Sequence, residues 1–146
     1  MAQARKRGQA IAFTNGCFDL IHAGHVSYLQ KAKGNGRLLI VGLNSDRSVE
    51  RIKGANRPIQ NQQNRAAVLA ALECVDYVTI FSEDTPYKLI DALRPDVLIK
   101  GADWKGKEVV GREVVEANGG KVEFIKYIEG QSTSQIMDKI IRSWAK

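Results

Sequence analysis

The chain has 146 residues, enough for one domain with a real core and little room for a second. Hydrophobic residues at 44% and charged residues at 26% are ordinary globular values, which excludes a disordered or low-complexity chain. The net charge of +6 draws anions, and because the basic residues are scattered apart from Arg5-Lys6-Arg7, small phosphorylated molecules fit it better than nucleic acid.

Residues 1–9 are polar and basic and are read as a flexible N-terminus ahead of a domain over residues 10–146. No apolar run follows them that could act as a signal peptide or membrane span, so the expectation is a cytoplasmic protein without a membrane partner. Strand character appears at Ala10 to Phe13, Leu38 to Leu43, Tyr77 to Phe81, Val97 to Ile99 and Val122 to Ile125. Helical spacing lies between and after them, at His25 to Lys33, Asn64 to Leu72, Pro86 to Leu93 and Ser134 to Trp144. Alternating strand and helix predict an α/β fold, a Rossmann-like parallel five-stranded sheet with helices on both faces, because parallel neighbours require long crossovers. Cys17 and Cys74 stand far apart without companions and are read as reduced thiols.

Ligands of such sheets gather beyond the carboxyl ends of the strands. The first of those ends runs Thr14-Asn15-Gly16-Cys17-Phe18-Asp19-Leu20-Ile21-His22-Ala23-Gly24-His25, with a helix following. Gly16 allows close backbone approach, and Gly24 removes a side chain where amides at a helix mouth can face an anion. His22 and His25 are the only histidines of the chain, and a spacing of three sets both rings near one face, where they can donate to phosphate oxygens. Two other readings exist: a turn with a helix cap, or a His-x-x-His metal site, for which only Cys17 is a close soft companion.

The run Phe18 to His25 resembles the His-x-Gly-His signature of the nucleotidyltransferase superfamily that includes the cytidylyltransferases and phosphopantetheine adenylyltransferase. The resemblance implies that His22 and His25 bind nucleotide phosphates and stabilise charge at the α-phosphate, with Thr14, Asn15, Gly16, Phe18 and Gly24 in the same nucleotide site. Near the C-terminus, Gln131-Ser132-Thr133-Ser134 resembles the second signature of that superfamily, which implies that Ser132 and Thr133 hold the β- and γ-phosphates; an ordinary N-cap is the alternative. The stretch Lys100 to Trp104, with Gly101 and Asp103, ends the fourth strand and, by the same resemblance, borders base and ribose. Asn44, Asp46, Lys53, Arg57 and Arg65 form a block read as a substrate lid, whose cations would neutralise an acceptor phosphate. Lys53 could also steady the transition state, and Asp19 could bind acceptor or metal.

The stretches Asn44 to Asp46, Asn56 to Ile59, Arg65 to Leu72, Pro95 to Asp103 and Ala117 to Gly120 are similar to the heptose-1-phosphate adenylyltransferase branch, whose domain is often fused to a sugar kinase. The implied reaction is attack of a phosphate oxygen of D-glycero-D-manno-heptose 1-phosphate on the α-phosphate of ATP, giving ADP-heptose and pyrophosphate. Mg2+ would bridge the phosphates without dedicated protein ligands, and no covalent intermediate is needed. The resemblance also implies a homodimer. A CTP-dependent glycerol-3-phosphate cytidylyltransferase is the alternative, weakened because that branch carries an arginine where this chain has Tyr127. A non-catalytic nucleotide- or RNA-binding module is the reading from a different class.

Overall fold

The computed structural model describes residues 2–145. Five strands, β1 (Ile11–Gly16), β2 (Leu38–Asn44), β3 (Tyr77–Phe81), β4 (Val97–Gly101) and β5 (Lys121–Ile125), form one sheet of order β3-β2-β1-β4-β5. Every neighbouring pair is parallel, as the alternation of elements predicts. The chain builds outward from β1 to β3, then returns to lay β4 on the other side of β1. A crevice therefore opens between the ends of β1 and β4, where the direction of winding reverses.

Side-chain alternation divides the core into two layers. Ala12, Leu39, Val41, Leu43, Val97 and Ile99 face one side and pack with Tyr28, Leu29, Ala32 and Leu69, from α2 (Ala23–Lys33) and α4 (Gln62–Ala70). Ile11, Phe13, Leu38, Ile40 and Leu98 face the other side and pack with Ile90 and Val115, from α5 (Tyr87–Leu93) and α6 (Arg112–Ala117). The helices thus cover both faces. No described helix is long and apolar enough to cross a membrane.

The structure departs from the sequence expectation in several places. Residues Ala2–Lys6, read as part of a flexible N-terminus, form a short helix, α1. Ala4 joins the second core layer, and the Arg5 guanidinium donates to the carbonyls of Leu93 and Arg94 at the end of α5. The first strand continues to Gly16, because Asn15 and Gly16 keep the parallel register with Gly42 and Leu43 although neither is apolar. Within the expected lid lies a helix, α3 (Asp46–Lys53), capped by Ser45, whose side chain accepts from the Ser48 amide, and buried through Val49. α2 starts at Ala23, two residues before the expected His25. The final helix, α7 (Thr133–Trp144), begins one residue early and is capped by Ser132.

Candidate active site

The β1–β4 crevice opens into a cleft of about 680 Å³. Asn15 and Gly16 from β1 and Lys100 and Gly101 from β4 form its floor. Phe18, His25 and Tyr28 meet Thr133 and Ser134 at the starts of α2 and α7. On the β2–β3 side stand Asn44, Ile52, Lys53, Arg57 and the Asp84–Thr85–Pro86 turn, and on the β4–β5 side Trp104, Val110 and Tyr127.

The two helix starts are locked side by side. Thr133 Oγ1 donates to the Leu20 carbonyl at 3.3 Å, and a Cβ at Gly24 would fall 2.9 Å from His22 Nδ1 and 3.1 Å from the Gln131 Cβ. Only glycine lets α2 begin this close to both. Two helix N-termini, each with free amides and the positive end of its dipole, then converge on one wall. His22 and His25 stack there, ring centroids 3.9 Å apart. Burial depresses the basicity of His22, and burial, reinforced by the neighbouring His22, brings His25 down to about 4 against the pull of the Leu20 carbonyl. Both Nδ1 atoms are buried without a hydrogen-bond partner among the described residues. Of the two rings, His25 lines the cleft at this doubled helix mouth, a place that suits a phosphate oxygen. Phe18 braces His25, with centroids 5.3 Å apart, from a left-handed backbone (φ 45°) that costs on the order of 1–3 kcal/mol and that the surrounding fold must enforce.

Asp19 holds the Arg57 side of the cleft together. Its carboxylate is buried and accepts from Arg57 Nε at 2.7 Å, from the Ile59 amide at 2.9 Å and from the Gln60 amide at 2.9 Å. Burial opposes its ionisation, but the Gln60 and Ile59 amides and the Arg57 guanidinium outweigh that and hold its carboxyl below the usual carboxylate range. With both oxygens engaged, Asp19 serves as a clamp on the residue 57–60 turn.

Arg65 shows a sharper departure from its expected place over an acceptor phosphate. It is 1% exposed, lies outside the cleft lining and donates to the carbonyls of Gln60, Cys17 and Asn44 and to the Asp46 carboxylate, at 2.6–3.0 Å. One guanidinium thus ties the phosphate loop to the ends of β2 and α3, and Asp46 is its counter-ion. Thr14, also fully buried, bonds the Tyr28 hydroxyl at 2.9 Å beneath the site. His22, Gly24, Asp103 and Ser132 support lining residues from behind: His22 stacks on His25, Ser132 caps α7, and the Asp103 carboxylate lies against Gly101. Asn15, Gly16, Phe18, Asp19, His25, Asn44, Lys53, Arg57, Lys100, Gly101 and Thr133 do meet in the cleft.

Tyr127 stacks on Tyr28 with centroids 4.9 Å apart, and Trp104, the last residue of the stretch set beside base and ribose by resemblance, stands over Lys100, whose Nζ is 5.5 Å from the ring centroid. Tyr127 escaped the sequence reading as a lining residue, since it reaches the cleft only because β5 is paired to β4. Asp84 and Thr85 were detectable only as a polar strand end. Cys17 lines the cleft, and burial pushes its thiol up despite Lys53, Arg65 and Arg57 nearby, so it stays protonated near neutral pH.

Residues 13–138 match the cytidylyltransferase-like family. The chain is 56% identical over 144 residues to the bifunctional protein HldE of Citrifermentans bemidjiense, covering 99% of this chain and 30% of that protein. It is 59% identical over 138 residues to HldE of Wolinella succinogenes, covering 94% of this chain and 28% of that protein. The chain therefore spans about three-tenths of the curated relatives it matches. Among solved structures it resembles the lipopolysaccharide core biosynthesis protein from Thermoplasma volcanium GSS1, with a TM-score of 0.67 and 27% identity over 85% of this chain and 100% of that one.

Proposed function

Because the chain belongs to the cytidylyltransferase-like family, we propose that it transfers AMP from ATP to D-glycero-D-manno-heptose 1-phosphate, releasing pyrophosphate and ADP-heptose. The observation that carries this reading is the convergence of the α2 and α7 starts, with His25, Thr133 and Ser134, across one cleft from Lys53 and Arg57. The first group suits a nucleotide polyphosphate and the second an acceptor phosphate.

In this reading the triphosphate lies along the mouths of α2 and α7, against His25, Thr133 and Ser134, while His22 backs His25. Lys53 and Arg57 hold the acceptor phosphate, and one of its oxygens attacks the α-phosphorus in line as the bond to the pyrophosphate oxygen breaks. The attacking oxygen is already ionised, so no general base is required. No covalent intermediate is needed, and burial keeps the Cys17 thiol protonated. His25 is neutral in the free protein and donates a hydrogen bond to the charge that grows on the α-phosphate. Asp19 contributes by keeping Arg57 in place.

Mg2+ keeps several waters and binds through substrate phosphates with few protein carboxylates, a habit compatible with a cleft whose main donors are imidazoles, amides and cations. When bound, it would neutralise phosphate charge. In this reading the base lies between Trp104 and Tyr127, which line the cleft beside Gly101. Tyr127 stacked on Tyr28, where the CTP-using branch carries an arginine, supports adenine over cytosine. Cytoplasmic location and homodimeric assembly belong to the same proposal, the latter checked by light scattering on the eluting protein. The activity test is pyrophosphate release with ATP, Mg2+ and heptose 1-phosphate. Absence of release with every sugar phosphate, under either ATP or CTP, would defeat the enzyme reading.

A further inference from the structure

Among the described residues, Lys100 is a buried cation with no anion to match it. Its side chain belongs to the last turn of β4, is only 8% exposed, and lies on the cleft floor at the crevice where the winding reverses. Its one hydrogen bond goes to Asn15 Oδ1, 2.6 Å away at the end of β1, and the Trp104 ring lies over it. Neither partner carries a negative charge. Burial alone brings the ammonium down to about 8, with no carboxylate close enough to offset it. Desolvating a cation costs several kcal/mol unless a counter-charge is supplied. Bordering a base and ribose, the role implied by resemblance, would leave that cost standing, since neither group is anionic. An ammonium has three donors, and Asn15 takes one.

We infer that Lys100, steered by Asn15, is a direct ligand of a substrate phosphoryl oxygen at the floor of the cleft, and that the protein holds this cation uncompensated until that phosphate arrives. The inference rests on the nucleotidyltransferase reading for the nature of its ligand. Two substrates could supply the oxygen, the nucleotide at its α-phosphate or the sugar phosphate, and the chemistry is the same for both.

The test is calorimetric binding to the full chain of α,β-methylene ATP and, separately, of heptose 1-phosphate, for wild type, Lys100→Met and Lys100→Arg. Lys100→Met should lose at least ~30-fold in affinity for one of the two ligands, as expected for removing one partner of a buried charge pair, and the ligand affected identifies the source. Its thermal midpoint without ligand should equal or exceed that of wild type, because an uncompensated buried charge has been removed. A residue serving only the fold would give the opposite result.

A second readout needs no variant. Binding that requires the protonated amine weakens as pH rises through the free-state value, by about 25-fold between pH 7.5 and 9.5 if the bound amine stays charged. Cys17, His25, Tyr28, Asp103 and Tyr127 are the titratable groups on the elements around Lys100, with Asp19, Lys53, Arg57 and Asp84 further along the walls and Lys107 on the far side of Trp104. Burial moves Cys17, Tyr28 and Tyr127 up and His25 down, away from this window. Lys100→Arg keeps the charge throughout and should flatten the decline. If Lys100→Met binds both ligands within threefold of wild type, or if wild-type affinity is flat over this range, the inference is wrong. If instead Lys100→Met loses phosphate affinity while wild type transfers no AMP to any sugar phosphate, Lys100 keeps its role and the proposed reaction fails.

Discussion

Replacing Asp19 by Asn tests whether the acceptor side is held by a single carboxylate. Asp19 is 1% exposed and its partner Arg57 17%, so their ion pair is largely shielded from solvent. Its two oxygens serve three donors: one guanidinium nitrogen and two backbone amides. Asparagine keeps one acceptor oxygen but turns an NH2 group toward at least one of those donors. At 1.5–3 kcal/mol for each hydrogen bond to a charged group, and with a buried cation left unpaired, the loss should be about 3 kcal/mol. Urea unfolding followed by circular dichroism would measure it. Amide exchange at Ile59 and Gln60 would show whether the loss is global or confined to the turn. The same variant should raise KM for the sugar phosphate, because Arg57 is no longer aimed, and leave KM for ATP nearly unchanged. A stability change below ~0.5 kcal/mol with exchange at both amides unaltered would refute the clamp, since that is the range of substitutions at featureless surface sites. The sign of the pH effect is also set. The folded carboxyl lies below its unfolded value, so its contribution is complete above the unfolded value and fades as pH falls through the folded one.

Arg65→Ala should destabilise by roughly 3–5 kcal/mol in the same urea assay, because three carbonyls and Asp46 lose their donor; a stable variant with only a raised acceptor KM would restore the sequence-based role. His25→Ala should lower kcat by about 100-fold without unfolding, as for loss of a transition-state donor, and a near-normal rate in a pyrophosphate assay would contradict that role. Because His25 is neutral down to about 4 when free and donates as a neutral imidazole, its contact with ATP should take up no proton near pH 7.5; an uptake approaching one proton, measured by calorimetry in buffers of different ionisation enthalpy, would mean that the phosphates charge the ring. Without ligand, the unfolded chain protonates this histidine at higher pH than the folded one, so acidification through that interval should cost stability. Gly101→Ala places a Cβ against Asp103 Oδ1 and the Tyr127 ring. That ring is 47% exposed and can swing aside, so stability should hold while KM for ATP rises about tenfold; an unchanged KM would remove Tyr127 from the base wall.

Local pattern was enough for the sheet and for the segment that enters the cleft. Continuous apolar runs separated by helical spacing require parallel crossovers, and His22, Gly24 and His25 stand within one turn of chain. Elements with weak or short patterns were not legible. α3 is mostly polar and buries little beyond Val49, α6 spans only Arg112–Ala117, and the start of α2 is set by packing against Gln131, far away in sequence. Arg65 shows why charge type is a poor guide to role. Its side chain could reach a substrate or the chain's own carbonyls, and only burial beside Cys17, Asn44 and Gln60 selects the second.

By itself, then, the amino-acid order determined the α/β architecture and the segment that enters the cleft after β1, because both follow from periodicity and from residues adjacent in the chain. Tertiary structure alone decided which cations face the cleft and which brace it. Lys100 and Arg65 are both buried, yet Arg65 has an anion and three carbonyls while Lys100 has a single neutral acceptor. That difference arises from strands and loops brought together by sheet order, and no spacing along the chain encodes it.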